Sequence, residues 1–212
     1  MPPSAPRTHP ATSDPLLIGE HPALDFLNSV MAPSGVTFDH LYDGNTMLAW
    51  LSASRVLPQS LVQAAALFNP AQMNQLAGDA RILREDFRRV LARRSETGAA
   101  GLTAKEIKCL NVWLSQTPLK QALVKQGKEW SLSLCRDPAI PATVMAELAL
   151  VCADLLVNHP HEQVRKCENP VCTLWFHDNK RGPHRRWCSM AICGNRMKVA
   201  AHRARATNSK RV

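Results

Sequence analysis

The stretch Cys167-Glu168-Asn169-Pro170-Val171-Cys172 and, after fifteen intervening residues, Cys188-Ser189-Met190-Ala191-Ile192-Cys193 organises the whole chain. Each cysteine pair is spaced to sit on one local turn, and the segment between them can bring the two turns together. Four thiolates arranged in this way suit a single Zn2+ ion in a closed tetrahedron, with no position left for water or substrate. The expected metal is therefore one structural zinc held by Cys167, Cys172, Cys188 and Cys193. A module of this size has too little apolar core to fold without such a staple.

The segment between the pairs has a shape of its own. Leu174, Trp175 and Phe176 lie in Thr173–Asp178, which reads as a strand. The run Asn179-Lys180-Arg181-Gly182-Pro183 is turn chemistry, and Arg185, Arg186 and Trp187 can return as a second strand. Ser189 then caps a helix beginning near Met190. Knuckle, hairpin and helix in that order form the plan of a treble-clef zinc finger. His177, His184 and His202 are alternative ligands that four cysteines make unnecessary. Cys109, Cys135 and Cys152 fall on apolar-patterned elements and read as small core residues.

Charge points the same way. The formal net charge is +9, and residues 161–212 carry 12 Lys/Arg against 3 Asp/Glu, whereas residues 1–160 carry 14 of each. The whole excess lies around the cysteines, which implies a polyanionic partner. The candidate nucleic-acid contacts are Arg181, Arg185, Arg186, Asn195, Arg196, Lys198, Arg203 and Arg205. Arginine forks suit phosphate or guanine. On a helix from Met190, Arg196 and Arg203 share one face and Lys198 and Arg205 another, nearly opposite. Asn195 can read adenine, but beside a zinc ligand it can equally support the thiolates or the backbone. Trp187 reads as finger core ahead of a base-stacking platform.

Upstream, the chain reads as a mainly helical α+β domain over residues 16–160, preceded by a Pro/Ser/Thr/Ala-rich segment, residues 1–15, expected to be disordered. Pro22 opens a helix to about Val30, further helices span Thr46–Ser54 and Pro58–Phe68, and Asn69-Pro70 caps and opens the clearest one. Its apolar stripe is Met73, Leu76, Ala80, Leu83, Phe87 and Val90, with Arg81, Arg84, Arg88 and Arg89 mainly off it. Thr103 and Glu106 fit a capping box. Trp130, Leu132 and Leu134 alternate with Ser131, Ser133 and Cys135 as in a half-buried strand. Pro141 opens an apolar helix through Leu156. After Pro160 the composition turns basic and cysteine-rich, so the domain boundary is placed there, with the finger over 161–206 and a basic tail over 207–212. Asp25 and Asn28 share a helical face. They either satisfy nearby backbone or line a small-ligand pocket, with Glu20 or His21 beside them.

Met1–Pro15 lacks the apolar core of a secretory signal, and no apolar run approaches the ~20 residues needed to span a bilayer. With clustered cysteines in odd number, this leads to the expectation of a reducing, cytoplasmic setting.

The stretch Cys167–Arg205, with Arg186-Trp187-Cys188-Ser189 ahead of Cys193-Gly194-Asn195-Arg196, resembles the CGNR zinc finger. Upstream, His21-Pro22-Ala23-Leu24-Asp25-Phe26-Leu27-Asn28-Ser29 is similar to the Leu-Asp-Phe-x-Asn-Thr pattern of the ABATE domain, its usual companion. Ser29 stands where threonine is commoner, and Lys180 where serine is common. The resemblance implies a bacterial, stress-induced transcription regulator whose finger binds nucleic acid, DNA ahead of RNA. Its N-terminal domain would sense a small-molecule effector or a protein partner, and a homodimer is compatible. The rival readings are an RNA-binding protein and a zinc-dependent protein-interaction adaptor. No nucleophile–base motif, phosphate loop or open metal site is present, so an enzyme is not expected.

Overall fold

The computed structural model describes residues 14–32, 35–179 and 184–209, with side chains given to Arg203 and Gln126 excepted. The expected N-terminal disorder falls almost wholly outside these residues, as do Arg181 and residues 210–212 of the expected tail; the side chain of Arg205 is likewise outside them. The fold is α+β and mainly helical.

Three of the helices start where the sequence supplies reciprocal caps. In α4 (Pro70–Thr97) the Asn69 side chain accepts from the Gln72 N–H and Gln72 reaches back to the Asn69 N–H. Gly98 ends the helix in the left-handed region at φ 67. Asp43 and Thr46 cap α2 (Gly44–Ser54) in the same reciprocal way, and Thr103 and Glu106 cap α5 (Ala104–Leu114). Short α3 (Gln59–Ala65) follows Pro58. The expected stripe of α4 is buried against α1 (Pro22–Leu27), α2 and α6 (Ala142–Asn158), forming the main core.

Two local expectations change. The first helix stops at Leu27, because the chain turns into β1 (Val30–Met31), which pairs antiparallel with β2 (Phe38–Asp39). Arg84 is not off the core face but 3% exposed. It is held there by a two-pronged bond to the Asp39 carboxylate, 2.7 and 2.8 Å, and by the Ser29 hydroxyl at 2.9 Å. A buried guanidinium is tolerable only with such pairing.

The strand expected at Trp130–Cys135 exists as β4 (Glu129–Cys135), paired with β3 (Lys120–Gln126), but its faces are reversed. Trp130, Leu132 and Leu134 are exposed, while Ser131, Ser133 and Cys135 are half-buried. The hairpin stands as a two-stranded sheet, so its own alternation does not decide which face meets the body.

The basic quarter of the chain begins with a 3-10 turn and β5 (Val164–Lys166), which pairs antiparallel with β6 (Trp175–His177). It is not packed as a separate unit. Trp175 and Val164 belong to the helical core, whereas Met31, Leu16, Ile18 and Phe38 pack with the cysteines, Leu174 and Phe176. The compositional break at residue 160 is therefore not a break in packing.

Candidate metal centre and basic surface

The four cysteines converge because β5 and β6 are joined by the first cysteine loop. Cys167 N–H donates to the Leu174 carbonyl, and Cys172 N–H to the Asn169 carbonyl. This differs from the expected hairpin: the partner of β6 is β5 before the knuckle, not the Arg185–Trp187 segment after it. That later segment touches the knuckle through a backbone bond, Glu168 N–H to the Arg186 carbonyl at 3.0 Å, and through the Arg186 side chain on the Glu168 carboxylate.

The second pair sits where Ser189 was expected to cap. Its hydroxyl accepts from the Ile192 N–H at 3.2 Å, and the Cys193 and Gly194 N–H groups both donate to its carbonyl. Met190–Gly194 forms one π-helical turn, and α7 (Asn195–Ser209) continues from it. A Cβ on Gly194 would stand 2.5 Å from Met190 Sδ, the movable end of an exposed side chain, and 3.0 Å from the Trp187 ring.

All four sulfurs are buried and lie within 4.8 Å of one another; Cys172 and Cys188 are 3.9 Å apart. Ligand sulfurs on a tetrahedral zinc at ~2.3 Å are themselves about 3.8 Å apart, so the donor set fits. Thiols this close titrate as one unit. Hydrogen bonds from Cys172 and Cys188 hold the Cys167 thiol well below the usual thiol range, while the bond with Cys167 pushes the Cys172 thiol up. A divalent ion replaces these protons and relieves the crowding. The site binds one zinc, which supplies structural cross-linking when bound. Asn169 Nδ2 donates to Cys193 Sγ at 3.3 Å. The amide supporting the thiolates is thus Asn169, inside the first loop; Asn195 is exposed on α7. The Asn-Pro pair between two cysteines was the local signal for it.

The basic residues divide into two groups. Arg185 is directed inward: its guanidinium donates to the Trp187 and Cys188 carbonyls, pairs with Glu20, and lies 4.3 Å from the Phe176 ring centroid. Glu20 has a left-handed backbone, φ 58, to meet it. Arg186 pairs with Glu168 at 2.6 Å and stacks on Trp187 at 4.8 Å, yet keeps 64% of its side chain exposed. Arg196, Lys198 and Arg203 are exposed on α7, where every residue from 198 to 203 is exposed. Lys166 on β5 is a further exposed cation that the sequence reading did not single out.

Asp25 and Asn28 serve different partners. Asp25 Oδ1 accepts from the Gly19 N–H at 2.9 Å, and burial raises its pKa to about 6 against that bond. A Cβ on Gly19 would stand 2.9 Å from the Asp25 backbone nitrogen, which keeps this approach for glycine. Asn28 behaves as a strand neighbour of β6: its Nδ2 donates to the Trp175 carbonyl at 2.8 Å and its Oδ1 accepts from the Trp175 N–H at 2.9 Å. The Thr173 hydroxyl accepts from the Ala32 N–H at 3.0 Å, and the His177 N–H donates to the Gly19 carbonyl at 2.8 Å. The motif around α1 therefore docks β6.

A closed four-cysteine zinc finger, docked on a helical domain and extended by a basic helix, defines the class of the molecule. Its sequence matches the CGNR zinc finger family over residues 163–206 and the ABATE family, described as "Putative stress-induced transcription regulator", over residues 20–159. The chain belongs to the ABATE family and carries a CGNR zinc finger. A search among curated proteins finds no match. Among the described residues no helix is long and apolar enough to cross a membrane.

Proposed function

We propose that this chain is a transcription regulator that binds duplex DNA through α7 and the outer side of its zinc finger, and carries no catalytic activity. The observation that supports it is the exposed basic helix leaving a rigid, closed metal site. Phosphates can be met by Lys198, Arg196 and Arg203 from α7, with Arg186 and Lys166 beside the zinc loops. The helix is amphiphilic in an unusual way, with cations on two edges and Ala200 and Ala201 between, which suits a groove whose two walls are both phosphate-lined.

The sensing part of the proposal belongs to the helical domain. A cavity of about 210 Å³ lies between α4 and α5, walled by Leu83, Phe87, Val90, Leu110 and Trp113. Its rim carries the Arg93–Glu106 pair at 2.8 Å. Such a cavity fits a small apolar effector.

The test is a binding isotherm of the full chain on duplex DNA and on RNA of matched sequence, at several salt concentrations. With ~4 phosphate contacts, log affinity for DNA falls against log salt with a slope of about −3.6. Preference for RNA would transfer the reading to an RNA-binding protein. No binding to either, with zinc in place, would leave the adaptor reading.

A further inference from the structure

The β3–β4 hairpin has one face that the described residues leave open. Its ladder runs from the row Lys120–Cys135 to the row Gln126–Glu129. A two-residue turn, Gly127-Lys128, closes it, with Gly127 in the left-handed region at φ 64. So tight a turn fixes the register, and the register fixes what each face carries. On one face Ser131, Ser133 and Cys135 are half-buried. On the other, Leu123, Trp130, Leu132 and Leu134 are 64–70% exposed. The small side chains are covered and the large apolar ones are not.

This arrangement is costly for the chain alone. The sheet has two strands, and a two-stranded hairpin is marginal in water unless a face is covered. Three leucines and a tryptophan present on the order of 500 Å² of apolar surface, comparable with the largest patch of an ordinary monomer. The patch is also held ready for a partner: Lys125 Nζ lies 5.9 Å from the Trp130 ring centroid, across the ladder from it.

The order of the rows identifies the occupant. Leu123–Leu132 is the middle row of the ladder, with Gln121–Leu134 two rows to one side and Lys125–Trp130 two rows to the other. A two-fold axis crossing the strands at the middle row sets Leu123 on its own copy and Leu132 on its own copy. The same axis lays Trp130 of each hairpin on Leu134 of the other, and Lys125 beside the Gln121 amide. The turn, with exposed Lys128, comes over the far end of the other hairpin, where the Asp137 side chain is 40% exposed. Apolar side chains thus meet apolar ones and the lysines meet an amide and a carboxylate. A patch that complements itself in this way is the requirement for a closed two-fold interface. Two such faces bury about 1,000 Å², the lower bound for a specific contact.

We propose that the chain forms a symmetric homodimer in which two β3–β4 hairpins pack face to face about the Leu123–Leu132 row. Each dimer then carries two α7 helices, and on the DNA-binding reading above it meets two half-sites. That consequence rests on the proposed function, whereas the dimer itself does not.

The test is sedimentation equilibrium of the full zinc-loaded chain without nucleic acid, in reductant, over about 1–200 µM, a range chosen for an interface at the low end of size. The expected result is a mass rising from 23.4 kDa towards twice that value. Leu132→Glu and Leu132→Lys, at an exposed position, keep zinc and helical signal. Each puts two like charges on the axis and weakens the dimer by at least roughly 100-fold. An equimolar mixture of the two variants recovers it to within about tenfold of the wild type, because the residue meets its own copy. The proposal is overturned if the wild type stays monomeric throughout, including the case in which it binds phosphatidylcholine vesicles and the face belongs to lipid. It is equally overturned if Leu132→Glu dimerises as tightly as the wild type, or if the mixture of folded variants remains monomeric. None of these results touches the DNA isotherm, so the two readings fail separately.

Discussion

Strand β6 and helix α7 belong to the same zinc finger and have opposite environments. Trp175, Phe176 and His177 are all buried, and both backbone bonds that Trp175 offers on one side go to the Asn28 amide. From residue 198 to 203, α7 buries nothing. The finger is thus divided: its first half completes the core of the helical domain, and its second half projects from it. The chain's positive charge follows that division. Arg185, near the buried half, is consumed by internal partners, while Arg196, Lys198 and Arg203 are exposed on the projecting half, with Lys166 the exposed cation of the docked one. Where a basic residue sits in the sequence did not decide which of these it does.

The strongest way to break the comparison is to remove the ion that joins the two halves. Cys188→Ser leaves three sulfurs and removes the closed site. Because the cysteines share a core cluster with Met31 and Phe38, the loss extends beyond the finger. The expected outcome is loss of the cysteine-bound zinc by elemental analysis and loss of more than ~3 kcal/mol in chemical denaturation. An unchanged midpoint would show that the finger is energetically independent.

Next in size is Asn28→Ala. It strands the N–H and carbonyl of Trp175 in a buried place, at a cost of ~2–4 kcal/mol for two unsatisfied groups. Zinc binding should survive, since Asn28 touches none of the ligands, while proteolysis between the helical domain and β6 becomes faster. Loss of zinc together with stability would mean that docking and metal binding are one cooperative event.

These contacts also show which parts of the molecule can be read without a structure. Caps at Asn69, Thr103 and Ser189, the stripe along α4 and the cysteine spacing are local, so residues a few places apart carry the whole signal. Asn28 and Trp175 are 147 residues apart, and Arg84 and Asp39 45 apart. Polar pairs at such separation leave no period in the sequence, and a pattern that marks a helix face cannot name what that face will meet. The same limit explains β4, where alternation revealed a strand but not which side would be covered. For Asp25 and Asn28, the shared helical face was real as spacing, yet each side chain satisfies a different stretch of backbone.

Asp25 allows a finer test on the docked side. Burial raises its pKa from 3.8 to about 6. Its folded-state value is above the unfolded one, so the native state binds the proton more tightly. The associated stability is fully present below about pH 4, declines as pH rises through 4–6, and is absent above that range. Allowing for partial exposure, the change is roughly 1–2 kcal/mol. Asp25→Asn should flatten this part of the stability profile and raise neutral-pH stability by a similar amount. A profile for the variant that still falls between pH 4 and 6 would assign the linkage to another group.

The smallest effect separates the two halves most directly, by comparing Lys198→Ala with Arg185→Ala. Lys198 is exposed on α7. Its removal should leave the unfolding midpoint unchanged within ~0.5 kcal/mol. If Lys198 neutralises a phosphate, the slope of log affinity against log salt becomes shallower by about 0.9, and all duplex sequences weaken alike. Arg185 is expected to do the reverse. Its guanidinium joins the Trp187 and Cys188 carbonyls to Glu20. Truncating it leaves those groups without their donor and should cost ~1–3 kcal/mol of stability, with a salt slope like that of the wild type. Measuring both quantities on both variants gives a crossed pattern, stability lost without slope in one and slope lost without stability in the other. If Arg185→Ala instead lowers the slope at constant stability, the inward arginine contacts the nucleic acid, and the division between a docked half and a binding half does not hold.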